Sequence, residues 1–525
     1  MGDEHNANRI DPGADRRRAS GAADRFAPVT RREFVAGLGV AGVSVALAGC
    51  GGSGNQGQSL TDSATADPFV TEPDLHPPGI HIATAAREPA PGQYVFTDVH
   101  AGTGQQGALI IGRDGELAYF DPVSDHGGNG RRVMNVRVQS YRGQPVMTYW
   151  QGAMISGHGQ GSYQLLDRSY RQVAEVHAGN GYQGDLHEFR LTDRGTALLT
   201  AYGTGNGTVP ASDGQAAYDG PYFYGIAQEV DIATGRVLLQ WRSDHHVPLE
   251  ASYEPRTSSP DGTWDYFHIN SIDVDPDDDN LIISSRSCAA FYKVDRQTGA
   301  VIWRCGGRDS DFELDPQARF FYQHDVVPHG SGRFTIFDNE GGPPRRAAQS
   351  RGLAINLDLS NHRASFVDAF GHHPGVYSSA LGSVQTLEQG HTFVGWGVAT
   401  YFTEYDQDGR VVFDARLEPV GTNSYRAFQE PWAGRPHWPP KIAARRTGRT
   451  TTVYLSWNGS TTHRRWQLLG GDHRDQLAPF AIHRTRGFET AIELANAPRW
   501  IAARALDDRG AELATSGPLH IAAAG

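Results

Sequence analysis

A histidine, an amide and an arginine lie close together in the run 264–286, and their types could bind and transfer a tetrahedral anion. His268 and Asn270 are two residues apart, so on an extended strand their side chains face the same side. Arg286 ends the next apolar segment, which is expected to pair back across the acidic turn 276–280. A nucleophile or proton carrier, a neutral donor and a fixed cation are therefore predicted to meet at one point.

Each of these side chains also has a purely structural interpretation. A single histidine on a strand usually serves as a hydrogen-bonding partner, and Arg286 could pair with Asp265 or Asp325. The alternating aspartates of 273–279 resemble a calcium loop, but the glycine and the glutamate that such a loop needs are absent. A solvated hairpin turn is favoured there, and the predicted chemistry needs no metal and no cofactor.

Polar turns followed by alternating apolar residues recur along the chain, which is the signature of a β-hairpin. Six such turns lie at 114–117, 167–170, 231–235, 295–299, 359–362 and 406–409. Their spacing of roughly 50–65 residues, with about four strands in each period, is typical of a β-propeller. The sequence therefore predicts an all-β fold with a six-bladed β-propeller over residues 96–440.

A second repeat places the candidate residues within this fold. His187 and His324 each precede an apolar residue by two positions and a glycine by eight, and Asn270 fits the same frame with a longer turn. If these segments are the innermost strands of successive blades, their leading polar residues face the central channel. His187, His268, Asn270 and His324 are then predicted to converge although they are far apart in sequence.

The two ends of the chain differ in composition from the predicted propeller. Residues 51–95 are rich in Gly, Ser, Thr and Pro and are interpreted as a flexible tether. After a Pro-rich linker at 431–440, residues 441–525 carry Trp457, Trp466 and Trp500 in alternating segments. This pattern predicts a small β-sandwich of fibronectin type III character.

Residues 1–50 are interpreted as a targeting segment. Thr30–Val35 resembles a twin-arginine export signal, and the apolar stretch that follows is shorter than the roughly 20 residues that span a bilayer. The run Leu47–Cys50 resembles a bacterial lipobox, so Cys50 is predicted to be lipidated and to anchor the protein on the outer face of the cytoplasmic membrane. The alternative is an incidental cysteine after an ordinary export signal.

Bulk properties limit the remaining possibilities. The net charge of -12 argues against bulk nucleic-acid binding, which requires a basic face. Cys288 and Cys305 do not have metal-ligand spacing, and outside the cytoplasm they could form a disulfide or remain two buried thiols.

Short runs around the candidate residues resemble the arylsulfotransferase (ASST) family, in particular exported lipoprotein members of actinobacterial type. These runs are 185–189, 267–271, 284–286, 321–325, 394–397 and 424–426. The resemblance covers about residues 100–440, and its specific part is His-x-Asn followed eighteen residues later by Arg. It implies a six-bladed propeller fold. It also implies an enzyme that does not use the nucleotide sulfate donor PAPS.

The resemblance also implies a reaction and a set of roles. The family moves a sulfuryl group from a small phenolic sulfate to a phenolic acceptor through a sulfohistidine in the propeller channel. His324 matches the nucleophile, and the sulfate-binding and proton-handling positions are matched by His187, His268, Asn270 and Arg286. The chain departs from the enteric type, because it lacks a short-spaced cysteine pair after the arginine and an N-terminal sandwich.

Trp396 and Tyr425 are predicted to line an aromatic substrate pocket, with packing between blades as the alternative. Two other functions stay open at this point. A quinoprotein dehydrogenase is also an exported propeller, but the adjacent cysteines and the calcium site that such enzymes carry are not visible in the sequence. A non-catalytic propeller that binds carbohydrate or protein at the cell surface is the second alternative.

Overall fold

The structure is a computed structural model that describes residues 69–86, 92–102, 104–123, 131–212, 214–256, 262–342 and 349–522. These residues form 34 strands and five short 3-10 helices, so the fold is all-β as predicted. In the described part of the chain, no helix is long and apolar enough to cross a membrane. The predicted export signal, Cys50 and the tether up to residue 68 lie outside the described residues.

The strands follow one another along the chain with short connections. They are β1 (Gly79–Thr84), β2 (Gln93–Val99), β3 (Gly107–Gly112), β4 (Leu117–Pro122), β5 (Arg131–Tyr141), β6 (Gln144–Ile155), β7 (His158–Leu166), β8 (Gln172–Val176), β9 (Phe189–Leu191), β10 (Thr196–Val209), β11 (Tyr218–Asp231), β12 (Val237–Arg242), β13 (Ile269–Val274), β14 (Leu281–Ser285), β15 (Ala290–Val294), β16 (Val301–Gly306), β17 (Glu313–Leu314), β18 (His324–Pro328), β19 (Arg333–Asp338), β20 (Arg351–Asp358), β21 (Arg363–Phe370), β22 (Ser383–Thr386), β23 (Thr392–Gly395), β24 (Tyr401–Tyr405), β25 (Val411–Glu418), β26 (Ala427–Pro431), β27 (Lys441–Thr447), β28 (Thr450–Ser456), β29 (Arg465–His473), β30 (Gln476–Arg484), β31 (Glu489–Leu494), β32 (Trp500–Leu506), β33 (Glu512–Thr515) and β34 (Leu519–His520). The 3-10 helices are Ser243–His245, Leu249–Ala251, Pro316–Ala318, Glu388–Gly390 and Gly397–Ala399.

Strands β1 to β26 form six sheets, which we number S1 to S6. Their strand orders are β26-β2-β3-β4 in S1, β5-β6-β7-β8 in S2, β9-β10-β11-β12 in S3, β13-β14-β15-β16 in S4, β18-β19-β20-β21 in S5 and β22-β23-β24-β25 in S6. Strand β1 adds to β25 of S6, and β17 adds in parallel to β21 of S5. S1 therefore joins a strand from the end of this region to three strands from its beginning.

The first strand of each sheet lies in the interior of this arrangement. Each first strand contacts the first strands of its two neighbouring sheets, and the circuit β26, β5, β9, β13, β18, β22 closes on itself. The fold is therefore propeller-like, and the segments that lead into these first strands surround a common centre.

The six polar turns predicted from the sequence are all present as hairpins. Each joins the third strand of a sheet to the fourth. In the nearly repeated runs 231–235 and 295–299, the first aspartate accepts hydrogen bonds from the backbone and hydroxyl groups of a threonine three residues later. The repeated side-chain chemistry therefore closes the same turn in two sheets.

Both faces of a sheet are buried, because alternate residues pack against different neighbours. In β14, Leu281 and Ile283 pack in a cluster with S3, whereas Ile282 between them packs with S5. Side chains that alternate along a strand point to opposite faces. This continuous apolar run therefore requires a sheet on each side.

Residues 441–520 form two further sheets, with orders β27-β28-β31 and β30-β29-β32-β33 and with β34 paired to β32. Side chains from both sheets share one hydrophobic cluster, which includes Val453, Trp466 and Ile501. This unit contacts S1, where Asn458 hydrogen-bonds the backbone of Phe120, and the β7–β8 turn of S2, where the Tyr170 hydroxyl donates to the carbonyl of Gly459.

Two predicted connecting segments are more ordered than expected. The tether was predicted to run to residue 95, but β1 pairs with β25 and Thr71 hydrogen-bonds Glu489. The predicted linker at 431–440 contains the buried Trp432, whose indole donates to the hydroxyl of Tyr170. Composition indicated a flexible tether in the first case and a linker in the second, whereas contacts distant in sequence hold these residues in place.

Candidate active site

Three histidines lie where three neighbouring first strands begin. His187 precedes β9, His268 immediately precedes β13, and His324 is the first residue of β18. All three are at least 96% buried, with exposed fractions of 2%, 4% and 1%. The ring centroids of His187 and His268 are 4.6 Å apart, and a positive charge on either ring would act on His324. The structure therefore brings together the three histidines that the repeat predicted.

Each imidazole is held at Nδ1 by one oxygen. The distances are 2.6 Å for His187 to Asp185, 2.5 Å for His268 to Asp265 and 2.8 Å for His324 to Asn339. An ionised carboxylate can only accept, so Nδ1 of His187 and Nδ1 of His268 carry the hydrogen. In their neutral forms both rings therefore keep a lone pair on Nε2.

The tautomer of His324 follows from the contacts of Asn339. The Asn339 amide nitrogen donates to the backbone carbonyls of Ser378 and Leu381 at 2.9 and 3.0 Å. The side-chain oxygen of Asn339 must then face His324, where it can only accept. Nδ1 of His324 therefore carries the hydrogen and Nε2 is the unprotonated nitrogen, which accepts a long hydrogen bond from the Leu381 N–H at 3.4 Å.

Burial and neighbouring cations keep two of these imidazoles neutral. Burial lowers the pKa of His324 well below its ordinary value, and protonated His268 and Arg286 would lower it further. Burial and then Arg286 lower the pKa of His268 to about 3, although Asp265 opposes this shift. Burial alone would raise the pKa of Asp265, but His268 and His158 hold it well below the usual range. Near pH 7 the site therefore contains two neutral imidazoles beside an ionised carboxylate.

Arg286 lies beside this cluster, as the sequence predicted. Its backbone N–H donates to the carbonyl of His268 at 3.1 Å, because β14 pairs back against β13. Its Nη2 atom is 3.8 Å from a carboxylate oxygen of both Glu254 and Asp265, and its buried Nε has no hydrogen-bond partner among the described residues. The guanidinium also lies over the ring of Tyr322 at 5.4 Å. This cation is charge-balanced but retains donors for an anion.

The geometry assumed for His268 and Asn270 requires a correction. His268 has a φ of 49° and lies outside β13, and the register shifts between Ile269 and Ser271. The alternation of an extended strand therefore does not apply to this pair. The Asn270 amide donates to the backbone carbonyl of Gln323 at 2.6 Å, so Asn270 supports the residue next to His324. Its side-chain oxygen is buried and has no partner among the described residues.

The two predicted aromatic pocket residues behave differently. The hydroxyl of Tyr425 donates to the backbone carbonyl of His187 at 2.9 Å, and the two rings lie 6.0 Å apart. Trp396 instead packs in a hydrophobic cluster with Phe337 and Val384 and donates its indole N–H to Thr403. The prediction that Trp396 lines a substrate pocket is therefore wrong, because the packing of S6 encloses its ring.

Sequence reasoning missed the residues that orient the histidines. Asp185 stands two residues before His187, and Asp98 stands in the same relation to His100, whose Nδ1 lies 2.8 Å from Asp98. This Asp-x-His pattern could have indicated the pairing. Asn339 had no such signal, because it lies fifteen positions beyond His324 and meets it only through the pairing of β18 with β19.

A comparison with protein-family models identifies the family. The model for Arylsulfotransferase (ASST) matches residues 137–418, more than half of the 525-residue chain. The chain belongs to the arylsulfotransferase family. The predicted family is thus confirmed, and membership supports aryl sulfotransferase activity with an aryl sulfate donor and a phenolic acceptor. The matched region contains all four predicted catalytic residues and Asn270.

The curated proteins and solved structures are less similar to this chain than the family model is. No curated protein matches the chain. Among solved structures, a Bacteroides caccae protein of unknown function is 13% identical, with a TM-score of 0.40, and the match covers 65% of this chain and 99% of that one. A streptogramin B lyase is 10% identical, with a TM-score of 0.31 and coverage of 72% and 94%. A putative 6-phosphogluconolactonase from Bacteroides fragilis is 9% identical, with a TM-score of 0.34 and coverage of 65% and 98%.

Two further features of the described residues concern metals and thiols. His158, Asp265 and His268 offer ligand atoms within 4.8 Å of one another, a set that could hold a metal ion and that the sequence did not predict. The 2.5 Å hydrogen bond between Asp265 and His268 and the nearby Arg286 cation favour use as a hydrogen-bonded cluster. Cys288 and Cys305 are separate buried thiols, and burial raises the pKa of Cys288 to about 12.

Proposed function

We propose that this protein is a PAPS-independent aryl sulfotransferase that moves a sulfuryl group from a phenolic sulfate to a phenolic acceptor through a sulfohistidine at His324. The observation that carries the proposal is the Asn339 contact, which leaves Nε2 of His324 as the unprotonated nitrogen. A buried imidazole whose pKa lies below its ordinary value remains a nucleophile near neutral pH. Family membership supports the overall reaction.

In the donor half-reaction, Nε2 of His324 attacks sulfur and the bond from sulfur to the phenolic oxygen breaks. Sulfuryl transfer resembles phosphoryl transfer, so catalysis depends on positioning and on stabilising the oxygens of a loose transition state. Arg286 supplies a permanent cation with free N–H donors for these oxygens. The departing phenolate takes a proton from water, because resting His268 is neutral and has only a lone pair at Nε2.

In the acceptor half-reaction, the second phenol attacks the sulfuryl group and neutral His268 accepts its proton at Nε2. Asp265 stabilises the imidazolium that forms. His268 then releases this proton to water, which balances the proton taken up by the donor phenolate, so no net proton is consumed over one cycle. His187, held by Asp185 and in edge contact with His268, supports this proton carrier from the neighbouring sheet. Double displacement of this kind predicts ping-pong kinetics.

The proposal includes a finer description of the fold. Sheets S1 to S6 are the six blades of a β-propeller, a description supported by the closed circuit of first strands and by the one hairpin repeat in each sheet. The reaction takes place where the channel begins. Residues 441–520 are a C-terminal β-sandwich, supported by the cluster that their two sheets share.

The cellular location is proposed from the sequence alone. The resemblance of Thr30–Val35 to a twin-arginine signal and of Leu47–Cys50 to a lipobox supports a location on the outer face of the cytoplasmic membrane. Replacement of Cys50 by Ala is expected to release active enzyme from the membrane fraction and to abolish incorporation of labelled palmitate. Retention of the label in the Cys50→Ala variant would refute lipidation at this position.

The central test is to trap the intermediate. Wild-type protein is mixed with 4-nitrophenyl sulfate without acceptor, and the burst of nitrophenolate is compared with the intact mass of the protein. We expect one nitrophenolate per active site and a mass gain of one SO₃ group that peptide mapping assigns to His324. His324→Ala is expected to show neither, whereas His473→Ala, at an exposed position of β29, is expected to show both. An adduct on another residue would remove His324 from the mechanism, and no transfer with a panel of aryl sulfates would favour a non-catalytic binding propeller.

A further inference from the structure

Arg286 lies between two carboxylates and hydrogen-bonds neither of them. Its Nη2 atom is 3.8 Å from an oxygen of Glu254 and 3.8 Å from an oxygen of Asp265, and both distances are longer than a hydrogen bond. Its buried Nε atom has no hydrogen-bond partner among the described residues. The two carboxylates therefore balance the charge of Arg286 while its N–H groups remain available to an anion.

Backbone contacts fix the position of Glu254 beside this cation. The N–H of Tyr253 donates at 2.8 Å to the carbonyl of Ser287, the residue that follows Arg286. The carbonyl of Glu254 accepts from the indole N–H of Trp264 at 3.1 Å. The main chain on both sides of this side chain is therefore held by contacts that do not involve the guanidinium.

The carboxylate of Glu254 is also held at its end. The hydroxyl of Tyr322 donates at 2.5 Å to Oε2, the same oxygen that faces Arg286, and the guanidinium lies over the Tyr322 ring. A side chain at Gly342 would bring its Cβ within 2.1 Å of this ring, so glycine leaves the space that Tyr322 needs. Because Tyr322 lies two residues before His324, this hydrogen bond joins the segment of Glu254 to that of the proposed nucleophile.

Two arrangements are open to Arg286 if the charge of Glu254 is removed. The guanidinium can stay in place, or it can move toward Asp265 and form charge-assisted hydrogen bonds there. The second arrangement is favoured, because the nearest remaining carboxylate stabilises a buried cation. It would engage the Asp265 oxygen that accepts from His268, and it would withdraw N–H donors from an incoming sulfuryl group.

We propose that Glu254 is a positioning residue that holds the guanidinium of Arg286 apart from Asp265, so that its N–H groups stay free to bind the sulfuryl oxygens. The proposal rests on the proposed function, in which Arg286 stabilises these oxygens. Burial lowers the pKa of His324 and the charge of Arg286 lowers it further, so this cation acts on the proposed nucleophile. Glu254 contacts no reacting atom in this scheme and acts through Arg286.

The test is the affinity for inorganic sulfate of Glu254→Gln, which keeps an oxygen for the Tyr322 hydroxyl but has no charge. A purely electrostatic effect predicts tighter binding than in wild type, because a negative charge near the anion is lost. The positioning role predicts the opposite, and we expect the dissociation constant of sulfate to rise about tenfold. Calorimetry at constant ionic strength measures this constant without turnover.

Steady-state kinetics give a second readout that separates the two substrates. In Glu254→Gln the KM for 4-nitrophenyl sulfate is expected to rise about tenfold, because the donor carries the sulfate group that Arg286 binds. The KM for phenol, which has no such group, is expected to stay within about twofold. A general loss of structure would change both values.

Tyr322→Phe is a second variant that leaves every charge in place. It keeps the ring below the guanidinium and removes the hydroxyl that holds Glu254, so the dissociation constant of sulfate is expected to rise only about threefold. Glu250→Gln is the matched control, since Glu250 is exposed and lies in the same connection between S3 and S4. It is expected to bind sulfate as wild type does.

Thermal unfolding of all three variants checks that the fold is kept. Tighter or unchanged sulfate binding in Glu254→Gln would overturn the proposal. Should that variant unfold, unchanged binding in Tyr322→Phe would overturn it instead. Wild-type protein that binds no sulfate would also do so, because Arg286 would then offer no free donors.

Failure of the proposed function gives a different result. Wild-type protein would then transfer no sulfuryl group from 4-nitrophenyl sulfate. The order of sulfate affinities among wild type, Glu254→Gln and Glu250→Gln would still report whether Glu254 positions Arg286.

Discussion

His324 and His268 are both buried imidazoles held at Nδ1, but an amide holds His324 and a carboxylate holds His268. A carboxylate stabilises the imidazolium that forms when the ring accepts a proton, whereas an amide oxygen orients the ring without adding charge. A proton carrier benefits from the first arrangement, and a nucleophile that must stay neutral benefits from the second. The residue that accepts from Nδ1 thus distinguishes the proposed nucleophile His324 from the proposed proton carrier His268, although both are histidines.

The largest effect is expected at the amide-held ring. His324→Ala removes the nucleophile, so transfer from 4-nitrophenyl sulfate to phenol is expected to fall at least about 1,000-fold in kcat. The release of nitrophenolate measures this loss, with His473→Ala as the control. If the variant retained more than a few per cent of wild-type activity, another residue would have to attack sulfur.

A large but smaller effect is expected when the carboxylate that holds His268 is replaced. Asp265→Asn makes this pair resemble His324 with Asn339 and removes the charge that stabilises the imidazolium. We expect kcat to fall about 100-fold, measured in the acceptor half-reaction by single-turnover decay of the sulfuryl enzyme.

Asp231→Asn is the control for this variant, since Asp231 lies in the exposed hairpin turn of S3. An Asp265→Asn variant with unchanged acceptor kinetics would mean that the carboxylate has no part in proton transfer.

The reverse exchange is expected to change pH dependence more than maximal rate. In wild type the pKa of His324 is below its ordinary value, so the nucleophile stays unprotonated as pH falls through the usual range of histidine. Asn339→Asp would favour the imidazolium and raise this pKa. The acid limb of the donor half-reaction is then expected to move upward by about one pH unit, measured as burst rate against pH.

The same exchange tests the tautomer argument. The carbonyls of Ser378 and Leu381, which now accept from Asn339, would face a carboxylate oxygen, and the free energy of unfolding is expected to fall by about 1–3 kcal/mol. Unchanged stability together with an unchanged pH profile would show that Asn339 does not orient His324.

The smallest effect is expected at Tyr425, which contacts the backbone of His187. Tyr425→Phe removes one buried hydrogen bond, so we expect a loss of about 1 kcal/mol in the free energy of unfolding and a reduction of only a few-fold in kcat. Chemical denaturation and steady-state kinetics measure the two effects. A loss as large as that of Asp265→Asn would place the Tyr425 hydroxyl in the chemistry itself.

Local patterns in the sequence predicted a large part of the fold. Each outer hairpin depends on a polar turn next to apolar alternation, so its position follows from a few adjacent residues, as in 231–235 and 295–299. The order of residues 69–86 could not be predicted in this way, because β1 pairs with β25 more than 300 positions later. Composition describes a segment but not its partners.

The residues of the candidate site likewise include some that local sequence patterns predicted and some that they did not. The types and positions of His187, His268, Arg286 and His324 could be predicted from the sequence, since each is a polar residue next to the start or end of an apolar strand. The burial of Trp396 could not be predicted, because an aromatic side chain is equally suited to a substrate pocket and to a hydrophobic core. Only its neighbours in the fold distinguish the two.

The sequence by itself determined the all-β class, the hairpin repeat, the family and the residues proposed for sulfuryl transfer, because these depend on residue types and short spacings. The tertiary structure alone decided which oxygen faces each imidazole, the inclusion of His158 in the buried cluster and the burial that lowers the pKa of His324. Those properties arise from contacts between different sheets and from exclusion of water. Neither the contacts between sheets nor the exclusion of water can be predicted from a short run of residues.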